Sequence, residues 1–365
     1  MYSETNMFKH DRKSVHQRNN VARWAIILSI TVFLILTILI IFIDISYTRS
    51  FIQMNGDLLR LTLISLSAII CILLVRFLVS RLSRVLNETY FKRFDHIPEH
   101  ASFRETLWCK NFPKRDTPKY KHAVLLLHGF AASTQEFQYL LPVLKDNGIP
   151  FLAPRIPGFG RDQVKLLAKV NFQDWLRNSM YHYDMLSELA DEVSIIGHSM
   201  GSLLATYISI HRPVKDLILS GPAMFVVDRD RKLKKLFTIR YLSDLYIWLF
   251  PFFPKPIHKD RKSVADLIDE SHLNHIFQYI SCPTRAIKQL ALLQDFINIL
   301  DSKSDKLYLL YGKYETTVNV NRLRNLLEQH NVQYTNKEYR NTAHNSFEDL
   351  DKDEAANDIV KILSS

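Results

Sequence analysis

Ser199 stands at the centre of Gly-His-Ser-Met-Gly, residues 197–201, and fits the pattern G-x-S-x-G. A serine hydroxyl is a weak nucleophile near neutral pH. It needs a general base, an acid to orient that base, and pre-aimed donors for the oxyanion of an acyl-transfer intermediate. The pentapeptide alone is a weak signal, and its flanks strengthen it. The apolar run 193–197 leads in and the helix-like stretch 202–211 leads out. Strand, sharp turn and helix in that order push a serine Oγ out at the top of a sheet. Glycines at 197 and 201 leave room where a Cβ would collide across the turn. His198, inside the pentapeptide, reads as a packing residue, since the turn points it away from the nucleophile.

The partners should follow in chain order, first Asp or Glu and then His. Glu315 lies in "KYETTV", directly after the apolar run 306–312, and His344 lies in "NTAHNSFED", after the strand-like "VQYTNKEYR". Asp301 and Asp305 precede the strand, and Asp349 and Asp351 sit too close to the His loop, which leaves Glu315 as the acid. In this reading His344 is the general base on Ser199, and Glu315 orients the imidazole and stabilises its cation. One oxyanion donor is the backbone N–H of Met200, the residue after the nucleophile. The second is the N–H of Phe130 in "LLLHGFAAS", on the loop after the first strong strand.

The elements that must position these residues are legible as short apolar runs at 123–129, 149–154, 192–197, 215–221 and 306–312. Uninterrupted apolar strands of this kind are buried on both faces of a parallel sheet. Helical stretches such as "FQDWLRNSMYHYDMLSELA" and "NRLRNLLEQH" lie between them, so the fold class is α/β with a mostly parallel central sheet. Of only nine glycines, seven (129, 158, 160, 197, 201, 221 and 312) fall at strand ends, where open α/β sheets build their functional loops. Residues 222–300 break the alternation with a basic stretch, "DRDRKLKKLFTIR", followed by "YLSDLYIWLFPFFPKP". An insertion of that length reads as a cap or lid.

The first part of the chain is different in kind. Residues 24–43 carry no charge and span roughly 30 Å as a helix, which suits a transmembrane segment. Residues 61–79, interrupted only by Arg76 near one end, read as the returning arm of a hairpin, with residues 44–60 as a short external loop. Lys9, Arg12, Lys13, Arg18 and Arg23 precede the pair; Arg76, Arg81, Arg84, Lys92 and Arg93 close it. That distribution puts the basic N-terminus (1–23), the juxtamembrane linker and first strands (80–119) and the domain at 120–365 on the cytoplasmic side. Cys71, Cys109 and Cys282 form neither a disulfide framework nor a metal spacing. No metal or organic cofactor is implied. The sequon at Asn87 is a chance match on the wrong side for glycosylation. The net charge of +10 reflects the juxtamembrane clusters, which suit anionic headgroups, and no nucleic-acid-reading motif accompanies it.

Five stretches together carry a resemblance: "LLLHGFAASTQEFQYLLPVLKDNGIPFLAPRIPGFG", "IIGHSMGSL", "YISCPTRAIKQLALLQ", "LYGKYETTV" and "NTAHNSFED". In that order, over about residues 120–365, they resemble the carboxylesterase and monoacylglycerol lipase group of α/β hydrolases. The resemblance implies the α/β-hydrolase fold, a triad of Ser199, Glu315 and His344, and an oxyanion hole from Phe130 and Met200. Two departures stand out: the family usually has Asp where this chain has Glu315, and its "PGHG" appears here as "PGFG", with Phe159 expected to alter the rim of the pocket. The soluble esterases of the group have no counterpart to the hairpin. The expected activity is hydrolysis of carboxylic esters, and a domain held at a bilayer with an aromatic lid points to acyl lipids such as monoacylglycerol or lysophospholipid. The same machinery serves a thioesterase, an acyltransferase or a peptidase, and a non-catalytic scaffold is the alternative from another class.

Overall fold

Alternation of side chains across a two-sided sheet explains the domain that carries the candidate residues. In the computed structural model described here, residues 55–91, 107–109, 118–160, 164–227, 235, 239–254, 266–269, 271 and 277–365 are described. They fall into two compact units, one holding residues 55–89 with Leu245–Phe252, the other holding the rest.

In the larger unit, strands β1 (Leu107–Trp108), β2 (Tyr120–Leu127), β3 (Phe151–Leu152), β4 (Ala190–His198), β5 (Asp216–Ser220), β8 (Lys306–Gly312) and β9 (Thr335–Tyr339) form a seven-stranded sheet in the order β1-β3-β2-β4-β5-β8-β9. Only β1 runs antiparallel to its neighbour; the other pairings are parallel. Along β2, Ala123, Leu125 and Leu127 enter one hydrophobic core while Val124 and Leu126 enter the other, and β5 repeats this with Leu217 and Leu219 against Ile218. A strand buried on both faces needs no polar alternation, which is why Ala123–Leu127 and Leu217–Leu219 are continuously apolar.

Helices of the same unit cover both faces of the sheet; α1 (Asn55–Phe91) belongs almost entirely to the smaller unit and is described with it. The first core takes Trp175, Leu176 and Leu186 of α4 (Phe172–Ser187) and Leu203, Leu204 and Ile208 of α5 (Met200–His211). The second takes Leu140 and Leu144 of α2 (Leu140–Asp146) with Ala355, Ile359 and Leu363 of α9 (Lys352–Leu363). Each fully buried Leu or Ile is worth about 1.5–3 kcal/mol relative to exposure, so the doubly covered sheet is a rigid platform. Helix α3 (Val164–Leu167) is a single turn, and α4 begins where the Asp174 carboxylate accepts the Asn171 N–H at 2.8 Å.

Strands β5 and β8 are neighbours although residues 221–305 separate them. That insertion carries α6 (Arg240–Leu249), the paired strands β6 (Phe252–Pro254) and β7 (Ser281–Pro283), and α7 (Thr284–Phe296). Its final helix belongs to the core, since Ala286 and Leu293 of α7 are buried there. Helix α8 (Val320–Gln329) connects β8 to β9.

The smaller unit contains the 37-residue α1, which runs beyond both ends of the apolar stretch at 61–79. Its segment Thr62–Glu88 is the one helix among the described residues long and apolar enough to cross a membrane. Leu66, Ile70, Leu74 and Phe77 are each 51–55% exposed, whereas a soluble core helix would bury them. In the same unit the Arg76 guanidinium lies 5.4 Å from the Trp248 ring centroid. The apolar run at 24–43 lies outside the described residues, so the structure describes one arm of the expected hairpin.

Candidate active site

Ser199 occupies the turn between β4 and α5 with φ 52° and ψ −113°, a conformation that costs a non-glycine residue about 1–3 kcal/mol and persists only where its surroundings dictate it. They do so here. Its N–H donates to Ser220 O at 2.9 Å, and its carbonyl accepts from Ser202 N at 3.1 Å and Ala223 N at 3.3 Å. The flanking glycines are sterically required: a Cβ on Gly201 would sit 1.9 Å from Leu127 O, and one on Gly197 2.5 Å from Gly201 O. Close packing of strand, turn and helix thus forces the side chain outward.

The other candidate residues arrive on loops leaving the carboxyl ends of β8 and β9, whose register pairs Gly312 with Tyr339. His344 Nε2 lies 2.9 Å from Ser199 Oγ, and His344 Nδ1 lies 2.6 Å from Glu315 Oε2. A carboxylate can only accept, so Nδ1 carries the proton and Nε2 is left to accept from the serine hydroxyl. The second Glu315 oxygen accepts the N–H groups of Thr317 at 2.7 Å and Val318 at 3.1 Å. Burial alone would push the Glu315 carboxyl up; the His344 imidazole and these amides outweigh it and hold it below the usual carboxylate range. Ser199, Glu315 and His344, up to 145 residues apart in sequence, are in hydrogen-bond contact.

Met200 is the first residue of α5, where a helix leaves its N–H without an intrahelical partner. Phe130 follows Gly129, and a Cβ built on Gly129 would come 3.2 Å from Ser199 Cβ, so this loop runs directly beside Ser199. The Phe130 ring packs edge-on to Phe159 and Trp175, with centroids 5.4 and 6.3 Å away. Phe159 itself is fully buried, near-parallel to Tyr279 and edge-on to His128. It therefore supports the Phe130 loop from within the core, and the expectation of a rim position is corrected: an aromatic ring among aromatic neighbours is drawn inward, where a polar imidazole would need partners.

Beneath this loop lies a polar network that spacing does not announce. Glu136 Oε2 accepts the Gly129 N–H at 2.7 Å and contacts His198 Nδ1 at 2.9 Å. Burial would raise the Glu136 carboxyl, but His198, His128 and the Gly129 amide hold it below its ordinary value. His198 thus does more than pack: it pins the carboxylate that anchors the Phe130 loop. His128 accepts the Ile156 N–H at 3.0 Å through Nε2, and burial lowers its pKa to about 4, keeping it neutral. The one sign of Glu136 in the sequence is a carboxylate inside the otherwise apolar and amide-rich "TQEFQYLL".

Asp349, set aside as an acid because it is too near His344, holds the surrounding loops instead. It is fully buried and accepts the N–H groups of Ala343 at 2.8 Å, Asp269 at 2.9 Å and Ile268 at 3.0 Å. Among the described residues no group of three or more His, Cys, Asp or Glu side chains could hold a metal ion, and the three cysteines are free thiols.

Residues 118–351 match the family described as "Serine aminopeptidase, S33". A carboxylesterase of Bacillus subtilis (strain 168) is 31% identical over 97 residues, 26% of this chain and 39% of that protein. A thermostable monoacylglycerol lipase of Bacillus sp. (strain H-257) is 28% identical over 90 residues, 25% of this chain and 36% of that protein. The chain thus aligns with less than half the length of either relative. The crystal structure of a soluble variant of monoglyceride lipase from Saccharomyces cerevisiae, bound to a substrate analogue, matches with a TM-score of 0.55 at 15% identity, covering 73% of this chain and 98% of that one. At that identity the likeness is one of fold.

Proposed function

Because the chain belongs to the Serine aminopeptidase, S33 family and has the α/β-hydrolase fold, we propose that it is a serine ester hydrolase working through Ser199, His344 and Glu315. The observation that carries the reading is the unbroken run of hydrogen bonds from Ser199 Oγ to His344 to Glu315, at 2.9 and 2.6 Å, on a strained nucleophile turn.

The chemistry follows from that run. Ser199 Oγ attacks the ester carbonyl carbon while its proton passes to His344 Nε2. The oxyanion so formed is held by the N–H groups of Phe130 and Met200, which are fixed before the charge appears and need no reorganisation. The C–O bond to the alcohol then breaks, and the alcohol leaves with the proton from His344. Water, deprotonated by the same imidazole, attacks the acyl-enzyme and releases the carboxylic acid with Ser199 restored. Through both halves Glu315 stabilises the imidazolium.

The preferred substrate is an acyl lipid of the monoacylglycerol or lysophospholipid kind. Two relatives named for ester cleavage support the ester class, and the exposed apolar helix Thr62–Glu88 supports work beside a bilayer. The full arrangement we propose has two spans, at 24–43 and 61–79, with the basic N-terminus and the domain at 120–365 in the cytoplasm and a cap between β5 and β8.

Fluorophosphonate labelling tests the nucleophile: the wild type should react and Ser199→Ala should not, and equal reactivity of the two would end the enzyme reading. Hydrolysis by the detergent-solubilised full chain, followed against ester chain length with thioester and aminoacyl-amide analogues in parallel, tests the substrate class. A preference for short water-soluble esters removes the lipid reading, and faster amide cleavage restores the peptidase one. A C-terminal reporter active only after export would overturn the topology.

A further inference from the structure

The loops that carry Glu315 and His344 are joined by a third piece of chain, residues 266–269 of the insertion. The Asp266 carboxylate, 6% exposed, accepts the hydroxyls of Thr317 at 2.7 Å and Thr316 at 3.0 Å, and the Asp266 carbonyl accepts the His344 N–H at 3.0 Å. From the other side, Asp349 grips the Ile268 and Asp269 N–H groups at 3.0 and 2.9 Å. Leu267 between them is buried. This short stretch is thus bonded to the acid loop through one carboxylate and to the base loop through another.

Thr317 is the point of convergence. Its N–H fixes Glu315 and its hydroxyl fixes Asp266, so the two carboxylates are tied through one residue. The same Asp266 supports the backbone of His344. Glutamate has one more rotatable bond than aspartate, and holding its carboxylate against the imidazole requires that the amides on its second oxygen stay in place.

We infer that Asp266 is a positioning residue for the His344–Glu315 pair, acting through Thr317 and the His344 main chain, so that the insertion takes part in aligning the catalytic groups. This rests on the assignment of Ser199, His344 and Glu315 made above. A misplacement of order 1 Å can cost about 100-fold in rate, so modest loosening of the Thr317 loop should be visible kinetically.

The test uses the full chain in detergent, with active sites counted by fluorophosphonate labelling at saturation. Asp266→Ala should lower kcat per labelled site by about 10-fold or more with KM within about threefold, because the contact made is to the pair and not to substrate. The acid limb of its pH–rate profile should move to lower pH, since a loosened Glu315 stabilises the imidazolium less. Asp266→Asn, which keeps an acceptor oxygen, should recover most of the rate. Thr317→Val should act in the same direction, and combining it with Asp266→Ala should cost less than the two losses multiplied. If Asp266→Ala is not recovered folded, Thr317→Val decides by the same measurements. A wild-type kcat and pH profile per labelled site in these variants would overturn the proposal and leave the triad standing. Absence of labelling in the wild type would instead remove the triad assignment.

Discussion

Glu315 carries one methylene more than an aspartate, and the geometry around it accommodates that length: one oxygen meets the imidazole at 2.6 Å while the other takes two backbone amides. Glu315→Asp withdraws the carboxylate from that contact and should lower kcat about 100-fold. Glu315→Gln, which keeps the length and removes the charge, should cost about 10⁴-fold, since its amide can turn the imidazole into the wrong tautomer. Both are read from kcat with labelled sites as the denominator. His128 supports a prediction about pH. Its folded pKa, lowered to about 4 from 6.5, means that the unfolded chain takes up a proton that the folded chain refuses between those values. The associated stability, about 3 kcal/mol, is present above 6.5 and lost as pH falls towards 4. His128→Gln, whose side-chain carbonyl can still accept the Ile156 N–H, should remove that part of the slope in urea unfolding followed between the two pH values.

At the scale of elements, the close crossing of the nucleophile turn over β2 sets the strictest demand. Gly201→Ala places a methyl 1.9 Å from a strand carbonyl that cannot move without breaking the β2–β4 ladder. It should destabilise the domain by about 3 kcal/mol or more, seen as a lower urea midpoint, with loss of labelling at Ser199. That demand also explains what is legible in the sequence. Ser199 and Glu315 follow apolar runs that end in glycine, His344 follows a strand-like segment, and chain order supplies their pairing. Glu136, Asp266 and Asp349 are silent there because a carboxylate that collects backbone N–H groups or hydroxyls has no characteristic spacing; its partners come from distant loops. The buried position of Phe159 was hidden for the same reason, since only the packed ring cluster shows which way the side chain turns. The strands themselves read well because burial on both faces removes polar residues, whereas two-residue β1 is too short to leave a pattern.

For the whole molecule, the exposed apolar surface of α1 predicts retention in the membrane pellet after an alkaline carbonate wash. Replacing both Ile70 and Leu74 by Arg adds about 2.5–3.5 kcal/mol of insertion cost per charge if the segment sits mid-bilayer, and should release a substantial fraction of the chain. Unchanged retention would point to an anchor other than α1. The parallel topology has a further consequence in time. Ser199 and His344 lie 145 residues apart and meet only because β4, β5 and β8 close across the intervening chain. During synthesis α1 leaves the ribosome before Ser199, and His344 follows only after every strand of the sheet. A nascent chain therefore carries Ser199 before it carries His344. The hydrogen bonds from Ser199 to His344 and from His344 to Glu315 form only once the last loop has docked, so the site assembles late, after the sheet is complete.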